Sequence, residues 1–388
     1  MERSARKGQA KWLVIFGIVL IAIVVLIISL GNKSSSTTSE GPIKIGFIGP
    51  LTGDAAAYGE PIRQVIQLAI EEINTAGGVN GRMIEFIYED GACTPKNSAT
   101  SAQKLIDVNG VKVILGGFCS GETLGAAPIA EAAKVILFSA GSGSPDITKA
   151  GDYIFRNFPS DASSGSKVAR EAVKNEHTNI AIIAEQTDYA QAVKKVFKDT
   201  LVGEDGNVAV DEAFSSDATD FRTPLTKIKD ANPDAIYLIA QTPAKYGLVL
   251  KQLREMGIDQ QIYTNEFAAA QDILKEYGDE IEGAIYAEPA FNAEAPAAAA
   301  LLENIKTTYG SLSGDLPPVY FATAYDAVYI LKEAVEKCGE DTNCIKTALY
   351  AIKNRPGTAG PLSIDGNGDA SFEYEVKQIT NGKPTVVG

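Results

Sequence analysis

Histidine, tryptophan and methionine are scarce in this 388-residue chain, at one, one and three residues. A lone imidazole, His177, leaves no histidine cluster for a metal and little for acid–base work. Cysteine is sparse too, with four residues and no C-x-x-C pair. No G-x-x-x-x-G-K-[ST] run occurs, and "GFIGPLTG" (46–53) lacks the G-x-G-x-x-G spacing, so neither phosphate-loop nor dinucleotide binding is supported. Positive charge is short as well. The 35 Lys and Arg face 49 Asp and Glu, for a net charge of −14. Four of those basic residues precede residue 12, so the remainder is more acidic still. Such a balance argues against nucleic acid and against docking on anionic lipid.

Long apolar runs are absent except for one. Residues 12–30, "WLVIFGIVLIAIVVLIISL", carry no charge. At ~1.5 Å per residue they span about 28 Å, close to the hydrocarbon thickness of a bilayer. Arg3, Arg6, Lys7 and Lys11 precede the run, which places residues 1–11 in the cytoplasm and the rest outside. The expectation is one N-terminal transmembrane anchor rather than a cleaved signal peptide, whose apolar core is shorter. A lipid-anchored precursor needs a cysteine just after the run, and the first is Cys93. Residues 31–42 are Ser- and Thr-rich and read as a tether.

From residue 43 onward, short β-rich apolar runs alternate with segments of helical periodicity. Strands are expected at 43–49, 83–90, 111–115 and 135–140, with helices at 58–76, 97–109 and 122–134. After an irregular bridge over 151–161 the pattern restarts, with strands at 179–185, 207–214, 235–240, 261–264 and 284–288 between helices. This is the α/β signature of parallel sheets wrapped by helices, in two doubly wound lobes. Helices follow near 294–309, 318–337 and 341–353. A last hairpin is expected around the turn Gly366-Asn367-Gly368. "DGNGD" (365–369) imitates the start of a calcium loop but lacks the other ligands and flanking helices, so it reads as a turn.

Ligands of open α/β sheets sit beyond the carboxyl ends of strands. Three such ends carry glycine, hydroxyl groups and a helix start: "GPLTGDAAAYGE", "GGFCSGE" and "SAGSGSPD". The helix N-termini, with the Ser120 and Ser142 hydroxyls, make a site suited to a carboxylate. The plainer reading of each loop alone is N-capping. Gly117 to Gly121 also fits G-x-C-x-G, like a nucleophile elbow. A cysteine hydrolase would need a base, however, and His177 precedes a strand, at the wrong edge of the sheet. Sequence alone leaves three pairings of the four cysteines open, of which local proximity favours Cys338 with Cys344 and Cys93 with Cys119. A zinc site has neither a C-x-x-C pair nor a nearby histidine. No cofactor and no metal are expected.

The stretch "IKIGFIGPLTGDAAAYGEPIRQVIQLAIEEINTAGGVNGRMIEFIYEDGACTPKNSA" resembles the opening of type I periplasmic binding proteins, in the branched-chain amino acid (Leu/Ile/Val-like) group of ABC transporters. The resemblance covers about residues 43–380. It rests on G-x-x-x-P-L-T-G, the Asn74 to Arg82 turn, the Asp90 to Lys96 box, and Cys-Ser after the third strand. It implies two lobes joined by a three-segment hinge, one of 43–158 plus 289–370 and the other of 159–288 plus 371–388. It implies a solute held in the cleft and delivered to an ABC permease. It also implies a bridge between Cys93 and Cys119. By position, Ser120 and Ser142 match residues that hold the α-carboxylate and amine, and the Ala140 backbone matches an ammonium acceptor. Tyr58 matches a cleft wall, Tyr189 a residue that covers the ligand, and Glu266 the acid facing the ammonium. The chain departs from the pattern at Gln241-Thr242, where an aromatic is usual, and at Gly141 and Gly143. The function implied is an extracytoplasmic receptor for an amino acid or similar zwitterion. A sensing ectodomain acting through a signalling partner is the alternative.

Overall fold

The computed structural model describes residues 41–53, 55–310 and 316–387. The anchor expected over 12–30 lies outside them. Among the described residues, no helix is long and apolar enough to cross a membrane.

The first sheet holds β1 (Ile43–Gly49), β2 (Ile84–Asp90), β3 (Val113–Gly116), β4 (Ile136–Ser139) and β5 (Ile154–Arg156). Its order is β2-β1-β3-β4-β5, and every pairing is parallel. The second sheet holds β6 (Asn179–Glu185), β7 (Asn207–Phe214), β8 (Ala235–Ile239), β9 (Gln261–Asn265), β10 (Ile285–Pro289), β11 (Tyr374–Thr380) and β12 (Lys383–Val386). Its order is β12-β11-β10-β9-β8-β6-β7, and its pairings are parallel except β10–β11 and β11–β12, so β11 alone runs against the others.

The helices that connect the first sheet are α1 (Ala56–Thr75), α2 (Pro95–Asp107) and α3 (Ser120–Ala133). Those of the second are α4 (Ala162–Lys174), α5 (Asp188–Gly203), α6 (Arg222–Ala231), α7 (Pro243–Glu255), α8 (Gln271–Glu276) and α9 (Gly278–Ile281). Then come α10 (Pro296–Tyr309), α11 (Pro318–Cys338) and α12 (Thr342–Tyr350).

The apolar patterns explain these elements. Strands covered on both faces read as unbroken apolar runs, and Ile180 to Ala184 of β6 are all fully buried. α1 buries Ile62, Val65, Ile66, Ala69, Ile70 and Ile73, the residues at three- and four-residue steps. It packs against α11, and Glu72 of α1 accepts hydrogen bonds from the Tyr325 and Tyr329 hydroxyls at 2.5 and 2.8 Å.

Two expectations need correction. The stretch read as an irregular bridge contains a strand, β5, paired with β4. Around Gly366-Asn367-Gly368 there is only an isolated bridge, Ile364 to Ala370. The terminal hairpin is β11–β12, which turns at Asn381-Gly382.

The chain passes between the sheets after β5, after β10 and before β11. These passages lie side by side: Pro159 bridges Ala370, and the Ala290 N–H donates to the Glu373 carbonyl at 2.8 Å.

Candidate functional site

In each sheet the strand order reverses beside one strand. β1 lies between β2 and β3, and β6 lies between β7 and β8. Loops leaving the two strands at such a point diverge and open a crevice. A cavity forms there, lined by Tyr58, Phe118, Cys119, Ser120, Gly141, Gly143, Tyr189, Gln241, Phe267 and Tyr320. Most of these residues follow the carboxyl ends of β1, β3, β4, β6, β8 and β9, so both sheets contribute. Some 320 Å³ within it is not filled by atoms, but only about 20 Å³ is open to the centre of a water-sized sphere. That is room for about one water.

The loop after β3 is held from several sides. Gly116 has φ +145°, and a Cβ there would lie 2.2 Å from the Ile48 carbonyl oxygen, so only glycine fits. Cys119 is bridged to Cys93 with Cα atoms 5.3 Å apart, and Cys338 is bridged to Cys344. Glu122, buried in the first turn of α3, accepts the Phe118 and Cys119 N–H groups on Oε2, each at 3.0 Å. Its Oε1 accepts the Cys93 N–H at 2.9 Å. Burial pushes this carboxyl up to about 7, against the pull of those three donors. Ser120 begins α3, lines the cavity, and accepts the Ser144 N–H at 3.1 Å.

The loop after β4 rests on Arg156. This fully buried guanidinium donates to Asp369 Oδ1 at 2.7 Å, to the Ser142 and Ser144 carbonyls at 3.1 and 2.9 Å, and to Thr148 Oγ1 at 3.1 Å. Asp369 comes from the DGNGD turn, so that turn supplies a partner for a buried cation. Among the described residues, no group of three or more His, Cys, Asp or Glu is placed to hold a metal ion.

Of the six candidate ligand residues, Tyr58, Ser120 and Tyr189 line the cavity, while Ala140, Ser142 and Glu266 do not. Ser142 Oγ lies 3.0 Å from the carbonyl oxygens of Gly117 and Phe118 and 2.7 Å from Thr123 Oγ1, so it ties the two loops together. The Ala140 carbonyl accepts from Thr323 Oγ1 at 2.8 Å. Glu266 is fully buried behind Phe267 and Tyr320, and its Oε1 accepts the Tyr320 hydroxyl at 2.8 Å. Its Oε2 is buried with no hydrogen-bond partner among the described residues. Burial, and then the charge of Asp161, raise its pKa well above the usual carboxylate range.

Sequence reasoning missed several residues here. Phe267 stacks on Tyr58 (5.7 Å between centroids, 15°) and meets Tyr189 and Tyr320 at 6.0 Å each. Tyr320 also stacks on Phe158 at 4.5 Å. Gln241, already noted as standing where the resembled family usually has an aromatic, lines the cavity, and its backbone N–H donates to Glu185 Oε2 at 2.7 Å. Asp161, just before α4, is fully buried. Phe267 adjoins Glu266 and Phe118 adjoins Cys119, so chain adjacency to a candidate was a usable signal for those two. Asp161 and Tyr320 carried none. His177 is half-buried and pairs with the Tyr263 hydroxyl at 2.8 Å, at the amino end of β6.

Residues 42–383 match the family described as periplasmic binding protein. The chain is 31% identical to the leucine-, isoleucine-, valine-, threonine-, and alanine-binding protein of Pseudomonas aeruginosa, over 90% of this chain and 92% of that protein. It is similar in structure to a leucine binding protein from Thermotoga maritima, with TM-score 0.80 and 28% identity, covering 89% of this chain and 98% of that one. A branched-chain amino acid transporter substrate binding protein from Streptococcus pneumoniae, in complex with isoleucine, gives TM-score 0.78 and 27% identity, covering 89% and 99%.

Proposed function

Because the chain belongs to the periplasmic binding protein family, we propose that it is an extracytoplasmic receptor that closes around an amino acid and delivers it to an ABC importer. It is a binding protein and not an enzyme. Cys119, the one thiol at an elbow-like turn, is tied to Cys93.

The observation that carries the amino-acid reading is the bare oxygen of Glu266. A buried carboxyl without a partner is costly, and an ammonium group supplies the missing donors and the opposite charge. In this reading the ligand carboxylate meets Ser120 and the N-terminus of α3. The second lone pair of the Ala140 carbonyl faces the ammonium alongside Glu266. Ser142 shapes the loop. Tyr58 and Phe267 flank the ligand side chain, and Tyr189 covers it from the second sheet. An aromatic carboxylate would satisfy Ser120 but leave Glu266 unpaired.

The present cavity is too small for an amino acid, so the lobes part to admit one. Their bounds are 43–158 with 289–370, and 159–288 with 371–388. Ligand stabilises the closed form by its differential affinity. Residues 12–30 anchor the receptor in the membrane and 31–42 tether it. A sensing role would use the same cleft but needs a separate signalling partner.

A thermal-shift screen of the full-length chain against the common amino acids and simple aromatic acids tests the reading. At a hundredfold excess over Kd, a ligand adds about 2.7 kcal/mol of stability. Stabilisation by at least one amino acid is expected. Stabilisation by aromatic acids alone would overturn the proposal.

A further inference from the structure

We propose that the cavity between α10 and one face of the β10–β11 pair is a second ligand site, for a small carboxylate with an apolar body, and that its occupant stabilises the closed lobes. The site does not depend on the amino-acid reading above; its coupling to closure does.

Strand alternation builds one wall. Tyr286 and Glu288 stand two residues apart on β10, and Lys377 of β11 pairs directly opposite Tyr286, so the three share one face of the sheet. All three line the cavity, while Ile285 and Ala287, on the other face, do not. Across from them, Leu302, Ile305 and Lys306 fall at three- and four-residue steps of α10 and form the facing wall. Leu274 of α8 and Phe321 of α11 add apolar surface. About 820 Å³ is open to the centre of a water-sized sphere, against about 20 Å³ in the cleft cavity. The two cavities share no lining residue. Phe267 and Tyr320 face the cleft, and Ala269 and Phe321, close by in the chain, face this second space.

The polar groups set the class of ligand. Tyr286 is fully buried, and its hydroxyl has no hydrogen-bond partner among the described residues. Burial, and then the charge of Glu288, raise its pKa, so it stays a donor. Lys377 is committed to Glu288 at 2.5 Å, with Glu375 at 3.7 Å. Lys306 has no ion pair among the described residues. A bare buried hydroxyl and an uncommitted ammonium suit an anionic acceptor, and the leucine, isoleucine and phenylalanine walls suit an apolar body. A cationic ligand would meet Lys306 as like charge to like.

Both proposed lobes supply the lining. Leu302, Ile305, Lys306 and Phe321 fall within 289–370, while Leu274, Tyr286, Glu288 and Lys377 fall within 159–288 and 371–388. An occupant therefore joins the lobes, and a ligand that needs them together favours closure by linkage.

The test is calorimetry on the full-length chain with 4-phenylbutanoate, alone and at saturating L-leucine, beside the neutral 4-phenylbutan-1-ol. The acid is expected to bind the leucine-loaded chain about fivefold tighter than the empty one, with leucine tightened by the same factor in return. The alcohol should bind about tenfold more weakly than the acid. Tyr286→Phe and Lys306→Gln should each weaken the acid about tenfold, and leave leucine affinity measured without the acid unchanged. Both variants remove groups without a partner among the described residues, so the fold is retained. Titrating them alike also subtracts any uptake by the apolar N-terminal run. Absence of binding, displacement of leucine by the acid, equal binding of the alcohol, or indifference to both variants would each overturn the site. Variant-sensitive binding that leucine does not alter overturns the coupling and keeps the site. A chain that takes the acid in this variant-sensitive way but binds no amino acid keeps the site and loses the amino-acid reading.

Discussion

Glu122 and Cys93 are 29 residues apart in the chain, yet the Cys93 N–H donates to Glu122 Oε1 at 2.9 Å. The other Glu122 oxygen takes the N–H groups of Phe118 and Cys119. One carboxyl thus gathers both ends of a disulfide and Phe118, the residue before Cys119. Its amide counterpart offers one acceptor oxygen, so Glu122→Gln leaves at least one of these buried donors bare. A loss of about 1–3 kcal/mol in urea unfolding is expected.

Glu122 also carries a sign for pH. Its folded pKa, about 7, lies above the ordinary glutamate value. The native state therefore holds this proton more tightly than the unfolded chain does. The resulting stability is fully present below the unfolded pKa and is lost as pH rises through the folded one. Unfolding midpoints of the wild type should show this loss between about pH 4.5 and 7, and Glu122→Gln should flatten it.

Tyr320→Phe removes the only hydroxyl bonded to Glu266 Oε1 among the described residues. The bare carboxyl should cost about 1–3 kcal/mol. Because that bond lowers the Glu266 pKa, its loss shifts the group further up. The variant should lose more stability at pH 8, where Glu266 is pressed to ionise, than at pH 5. Urea titrations at the two values check the difference.

Gly143→Ala places a methyl group on Asp161 Oδ2. Overpacking of this kind costs about 1–3 kcal/mol, and here it falls on the cavity wall. The variant should keep its circular dichroism spectrum and lose most of its thermal-shift response to amino acids.

The two disulfides should differ in weight. Cys93–Cys119 closes a separation of 26 residues and Cys338–Cys344 one of 6. Loop entropy alone gives about 3–4 kcal/mol for the first and about 2–2.5 kcal/mol for the second. Paired Cys→Ser variants, compared by urea unfolding after non-reducing peptide mapping, test the order.

Local patterning made most of the fold legible. Apolar runs such as Ile180 to Ala184 announce a strand covered on both faces, and glycines punctuate the rest. β5 was hidden because it has three residues and ends on Arg156, a charge that ordinarily marks solvent. The terminal hairpin was misplaced because Gly366-Asn367-Gly368 drew attention from Asn381-Gly382, the stronger two-residue turn signal. At the site, Ser120 stood out because its loop is continuous in sequence. Asp161, Phe267 and Tyr320 come from three distant segments and meet only in space. Ser142 shows the limit of positional matching, because its hydroxyl is consumed by its neighbours.

Arg156 has a further consequence, for the order in which the protein is completed. The loop that forms one wall of the cavity is pinned by this arginine, whose partner Asp369 lies 213 residues later. A ribosome releases the chain from its N-terminus, and domains mature as their contacts emerge. The first sheet can assemble early, but its edge must wait for Asp369, close to the end of the sequence, to arrive. Nascent chains stalled short of Asp369 should therefore be compact yet unable to retain a solute.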